Sequence, residues 1–166
     1  EKYRPDVLSN YIGNEHLKKQ IDKNIEENDL PHYLFYGQAG TGKTTLAKIL
    51  VKNIDCDYLY INASDVTGVE NIRTTIKGFA MTYSTAISNI KIVILDECDY
   101  LSPNAQAALR NLMETYSAHC KFILTCNYKE KVIDPLQSRC QEYELNPPNR
   151  AEVGKHCVKV LEAENV

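Results

Sequence analysis

Short apolar runs, separated by longer stretches of helical spacing, set the pattern of this chain. Five runs read as strands: Tyr33–Tyr36, Tyr58–Asn62, Ile92–Asp96, Phe122–Cys126 and Glu142–Leu145. In the third, Ile-Val-Ile-Leu shows no alternation of apolar and polar positions, as expected of a strand covered on both faces. Between the runs, apolar residues recur at helical spacing over Glu15–Glu27, Lys43–Asn53, Val69–Tyr83 and Pro103–Tyr116. Strands alternating with helices predict a parallel, doubly wound α/β sheet. Helix ends agree, with Ser102 as an N-cap and Pro103 at the first helical position. Asn146-Pro-Pro-Asn149 interrupts the pattern, and Arg150–Glu164 is helical again. This divides the chain into a main domain over 1–146, then a linker and the first helix of a second domain over 147–166. There is no internal repeat and no low-complexity segment.

Composition adds bounds. A chain of 166 residues, 43% apolar and 25% charged, is an ordinary globular domain that needs no staples. No apolar run approaches the roughly 18–20 residues of a membrane span, and no secretory leader is visible, so no membrane partner is expected. The first residue is Glu1 rather than Met, which suggests a fragment. A net charge of −3 argues against a uniformly basic nucleic-acid binder but leaves room for a local phosphate-facing patch. The six cysteines are scattered without a CxxC pair, several inside apolar runs, as reduced thiols packed like small hydrophobes would be. That usage points to the cytoplasm or nucleus. The dispersed histidines give no zinc-ligand spacing.

Gly37-Gln38-Ala39-Gly40-Thr41-Gly42-Lys43-Thr44 carries the chemistry, fitting G-x-x-x-x-G-K-[ST] directly after a strand and opening a helix. Its glycines let consecutive N–H groups turn toward an anion, and the helix beginning near Lys43 adds its positive dipole end. Lys43 is placed to meet the β- and γ-phosphates of a nucleotide, and the Thr44 hydroxyl to ligate Mg²⁺. Asp96-Glu97 ends the middle strand, at the edge where open α/β sheets carry ligands. Asp96 would complete the metal's surroundings, and Glu97 would polarise a water. Asp99 reads either as a solvated or helix-terminal charge or as a catalytic one. Asn127, after the fourth strand, is either a strand-ending turn residue or an amide that bonds the γ-phosphate. Arg139, in Pro135-Leu-Gln-Ser-Arg-Cys140, is either a solvated loop charge or an arginine finger.

Taken together these stretches resemble the small subunits of sliding-clamp loaders, the replication factor C group and its phage counterparts, within the P-loop AAA+ class. Glu1-Lys-Tyr-Arg-Pro5, Asn62-Ala-Ser-Asp65, Asp96-Glu-Cys-Asp99, Ala105-Gln-Ala-Ala-Leu-Arg110, Met113-Glu-Thr-Tyr-Ser117 and Gln137-Ser-Arg-Cys140 follow that pattern in order. The resemblance implies an AAA+ core with the start of a helical lid, and ATP with Mg²⁺ at residues 37–45, Thr45 included. It makes Thr44 and Asp96 the metal contacts, Glu97 the water carboxylate and Asn127 the γ-phosphate sensor. Arg139 becomes the finger that completes a neighbour's site. Arg4 and Ile12 match positions bordering the base, while Gln106 and Arg110 fall where DNA contact is linked to catalysis. The implied partners are other loader subunits, a sliding clamp and primer–template DNA. The segment 71–89 and the helix after strand two match clamp-contact regions. Two departures stand out: Gln38-Ala39 where many relatives carry proline, and Cys98 where Ala is common. The rest of the lid, with a second sensor arginine, and a collar domain would lie beyond Val166. Another AAA+ motor, of junction-helicase or initiator type, would share the loop and acidic pair but lack the Ser-Arg-Cys context. A scaffold subunit that does not hydrolyse would usually show a damaged motif, and none is damaged here.

Overall fold

The computed structural model describes residues 5–27, 29–65 and 68–164. Five parallel strands form one sheet: β1 (Tyr33–Tyr36), β2 (Cys56–Asn62), β3 (Ile90–Asp96), β4 (Cys120–Cys126) and β5 (Gln141–Glu144). Their spatial order is β2-β3-β4-β1-β5. The helices are α1 (Glu15–Glu26), α2 (Lys43–Asn53), α3 (Val69–Met81), α4 (Pro103–Tyr116), the short α5 (Asp134–Gln137) and α6 (Arg150–Ala163). Among the described residues no helix is long and apolar enough to cross a membrane.

The lack of alternation in β3 has its cause in two cores. Val93 and Leu95 face one, with α3 and α4, while Ile92 and Ile94 face the other, with α1 and α2. All four are at most 2% exposed, and each contributes about 1.5–3 kcal/mol by leaving water. The central strand therefore holds both helix layers to the sheet. Cys98, Cys120 and Cys126 pack as small apolar groups in the α3–α4 core.

The ends of five elements differ most clearly from the sequence pattern. Strands β2, β3 and β4 each begin two residues earlier, because Cys56-Asp57, Ile90-Lys91 and Cys120-Lys121 pair across the ladder despite their polar members. β5 runs one residue earlier, at Gln141–Glu144, although the Leu145 N–H still donates to the Tyr36 carbonyl at 2.8 Å. α3 ends at Met81 rather than Tyr83. Thr82 is extended, its hydroxyl caps the Phe79 carbonyl, and the buried Lys91 ammonium captures the Phe79 and Thr82 carbonyls. A lysine in the next strand thus ends the helix before its apolar pattern does.

Other ends follow the sequence. The Ser102 hydroxyl accepts the Ala105 N–H at 3.3 Å, with Pro103 in the first turn of α4. Asn149 and Glu152 form a reciprocal capping box that starts α6.

One side chain gives the fold a pH dependence. The His32 Nδ1 accepts the Phe122 N–H at 3.1 Å, its ring edge-on to Phe122. Burial, helped by the charge of Lys121, lowers its pKa from the ordinary 6.5 to about 4. Between those values the unfolded chain binds the extra proton, so stability is lost as pH falls from 6.5 toward 4. The melting temperature should fall through this window more steeply in the wild type than in His32→Asn. Equal slopes in the two proteins would remove His32 from this role.

Candidate functional site

Parallel strands open their carboxyl ends to one edge, and there a cleft of about 310 Å³ is lined by Gly40, Lys43, Thr44, Asp96, Glu97 and Asn127, with Ala39, Gly42, Thr45, Thr125 and Cys126. The loop between β1 and α2 brings its residues in. Gly42, at φ 91°, turns the chain into the helix, where a Cβ would meet the Tyr11 hydroxyl at 3.0 Å and its ring at 3.1 Å. The Tyr11 hydroxyl, buried and with its pKa pushed up to about 12, donates to the Thr41 carbonyl at 3.1 Å and fixes the loop from below.

Within the loop, buried Lys43 curls back so that its ammonium donates to the Gly37 and Gln38 carbonyls, both at 2.8 Å. Burial lowers its pKa, while Cys126, Asp96, Asp99 and Glu97 oppose that shift. The cation is thus held among acceptors at the mouth of the cleft. Thr41 turns inward to the Gln38 carbonyl at 2.9 Å; it shapes the loop and, like Gly37 and Gln38, does not line the cleft.

Asp96 is the hub. The Thr44 hydroxyl reaches both its carboxylate oxygens, at 2.8 and 2.9 Å, and Tyr60 and Thr125 donate to it as well. A carboxylate and a hydroxyl in contact form a hard oxygen donor set of the kind magnesium takes, so these two residues fit the ion. Glu97 is in the left-handed region, at φ 57° and ψ 43°, and its N–H donates to the Thr125 hydroxyl at 3.1 Å. Glu97 lines the cleft, and its carboxylate takes no part in the hydrogen bonds that gather Thr44, Tyr60 and Thr125 on Asp96.

Asp99 is a helix-terminal charge, in the first turn of the short 3-10 helix Cys98–Tyr100, but it is not solvated. It is buried, and one carboxylate oxygen accepts the backbone N–H groups of Asn127 and Tyr128, both at 3.2 Å. Its work is to fasten the β4 end, and so to place Asn127 in the cleft. Gln106 is also buried: it spans from the Leu101 and Lys131 carbonyls to the Ile133 N–H, pinning α4 to residues 131–133. Arg110 stays at the surface against Asn111.

Arg139 lies outside the cleft, on the surface turn after α5. Ile12 lines a second cavity of about 540 Å³ between the N-terminal segment and α6. Arg4 lies outside the described residues. Sequence reasoning missed Tyr60 and Thr125. Thr125 had a signal, a hydroxyl near the end of a mostly apolar buried strand; Tyr60 had none, being one of two tyrosines in β2.

Comparison with known proteins places this geometry. Replication factor C small subunits of Methanococcus maripaludis and Methanoculleus marisnigri are 40% and 42% identical to the chain over its whole length. The chain spans about half the length of these curated relatives, 54% and 53%. In structure it resembles the RuvB Holliday junction branch migration motor of Thermotoga maritima, with a TM-score of 0.85 and 19% identity. That match covers the whole of this chain and 56% of RuvB, and speaks for the fold alone. The family model for AAA, the ATPase family associated with various cellular activities, matches residues 33–147, from the first strand through the last, and the chain belongs to that family.

Proposed function

We propose that the protein is an ATPase subunit of a sliding-clamp loader, which opens a ring-shaped clamp and places it on primer–template DNA. What carries this reading is the cleft, where the phosphate-loop lysine and the Thr44–Asp96 pair stand with Glu97 and Asn127, on a chain alike throughout to replication factor C small subunits. In this reading residues 1–146 are the nucleotide-binding unit and 147–166 begin a lid, while Ile12 and Arg4 border the base.

The division of labour follows from the donors. Loop N–H groups and the Lys43 ammonium bind the phosphates; Lys43 exchanges its loop carbonyls for them. Magnesium, when bound with the nucleotide, neutralises phosphate charge, and Thr44 and Asp96 would hold it. Glu97 takes the proton of the attacking water, and the neutral Asn127 amide orients that water against the γ-phosphate. Arg139, being outside its own cleft, serves the site of a neighbouring subunit. DNA affinity would come mainly from backbone phosphates and fall with salt.

The test is steady-state ATP hydrolysis by the full-length protein with its partner subunits, with and without clamp and primer–template DNA. Strong stimulation by both together is expected. Turnover indifferent to the clamp would leave the fold standing and move the function to another AAA+ class.

A further inference from the structure

The proposed finger is already held before any neighbour is present. Arg139 donates through Nη2 to the Glu114 carboxylate and through Nη1 to the Pro135 carbonyl at 2.7 Å. Its base is equally fixed. The Arg139 N–H donates to the Leu136 carbonyl at 3.2 Å, Leu136 is fully buried, and Cys140 packs against the α3–α4 core. Glu114 sits toward the end of α4, which Gln106 pins to the segment leading into α5. Both charged side chains remain partly open to solvent, 34% for Arg139 and 46% for Glu114.

An exposed ion pair of this kind adds little to fold stability, typically 0–1 kcal/mol. Its consequence lies in orientation. A free arginine carries about 2 kcal/mol of rotamer entropy, all of which a docking phosphate would have to overcome. Here two of the five guanidinium N–H donors are engaged by this chain, and the remaining donors are presented from a nearly fixed fork.

We infer that Glu114 is a positioning residue for Arg139: it sets the finger's rotamer in advance, so that the guanidinium meets the neighbour's γ-phosphate without a search. The inference rests on the finger reading of Arg139. Glu114 touches no substrate itself, so its effect belongs in the rate of the chemical step and not in nucleotide affinity. Loss of orientation in a group that stabilises charge costs part of what loss of the group costs.

The experiment is single-turnover ATP hydrolysis by the full-length assembly with clamp and DNA, comparing wild type, Glu114→Ala, Glu114→Gln, Arg139→Ala and the Glu114→Ala/Arg139→Ala double variant. Thermal melting of each serves as a folding check. The expected result is about a tenfold loss of rate in Glu114→Ala with KM for ATP within twofold of wild type. Glu114→Gln, which keeps an acceptor of the same shape, should recover part of the loss. In the Arg139→Ala background the Glu114 change should have no further effect. An unchanged or faster rate in Glu114→Ala, or an equal loss with and without Arg139, overturns the positioning role and leaves the finger intact. An Arg139→Ala assembly that turns over normally overturns the finger reading itself, and this inference with it.

Discussion

Glu97→Gln is expected to bind ATP as the wild type does and to hydrolyse it on the order of a thousand times more slowly, within the range ascribed to a positioned general base. The substitution keeps the shape and polarity of the side chain and removes only its ability to accept a proton. Binding should survive because the elements assigned to phosphate and metal are elsewhere: Lys43 on the loop, and Thr44 bonded to Asp96. The backbone should survive too, since Glu97 is anchored through its own N–H to Thr125 and not through its carboxylate. A matched pair of measurements decides it: equilibrium binding of a fluorescent ATP analogue, and phosphate release in the assembled protein. Normal turnover would transfer the proton-accepting role to another group in the cleft. Lost binding would mean that Glu97 supports the nucleotide itself.

The fold was readable because its signals are local. The inner strands are apolar runs and each long helix has an amphipathic period, so all five strands and α1–α4 and α6 could be located along the chain, although β5, Gln-Glu-Tyr-Glu, is mostly polar. The phosphate loop was readable for the same reason, as a contiguous motif between a strand and a helix. Harder features depend on what the sheet order brings together. β2 lies beside β3 with Asn62 opposite Asp96, and β4 lies on the other side of β3. That arrangement brings Tyr60 and Thr125 to the Asp96 carboxylate, and neither contact is implied by sequence spacing. Asp99 shows the limit most clearly. Its neighbours in sequence suggest a solvated or helix-terminal charge or a catalytic acid. It does lie in the first turn of a short helix, but its partners, two amides at the end of β4, are not implied by sequence spacing. The Arg139–Glu114 pair is of the same kind, joining the end of α4 to the turn after α5, which only the packing makes adjacent.

The other large effect is structural. Gly37→Ala should destabilise the domain by several kcal/mol, on the order of 10 °C in melting temperature for a chain of this size. Gly37 has φ 142°, in the region that disfavours side chains, and a Cβ there would lie 2.4 Å from the Leu145 carbonyl oxygen. That oxygen belongs to backbone, and its neighbouring Leu145 N–H is itself bonded to Tyr36, so it cannot swing aside as a side chain would. The clash therefore has to push β5 away from β1 at the root of the phosphate loop, and nucleotide affinity should fall with stability. Gly78 is the opposite case within the same molecule. It lies on the exposed face of α3, nothing stands within 4 Å of its would-be Cβ, and its conformation is helical. Gly78→Ala should stabilise by about 0.4–1 kcal/mol, through the reduced entropy of the unfolded chain. Thermal unfolding of the two variants side by side should give shifts of opposite sign. A Gly37→Ala protein that melts with the wild type would mean that the loop can move away from β5 freely, and the tight joint between phosphate loop and last strand would have to be abandoned.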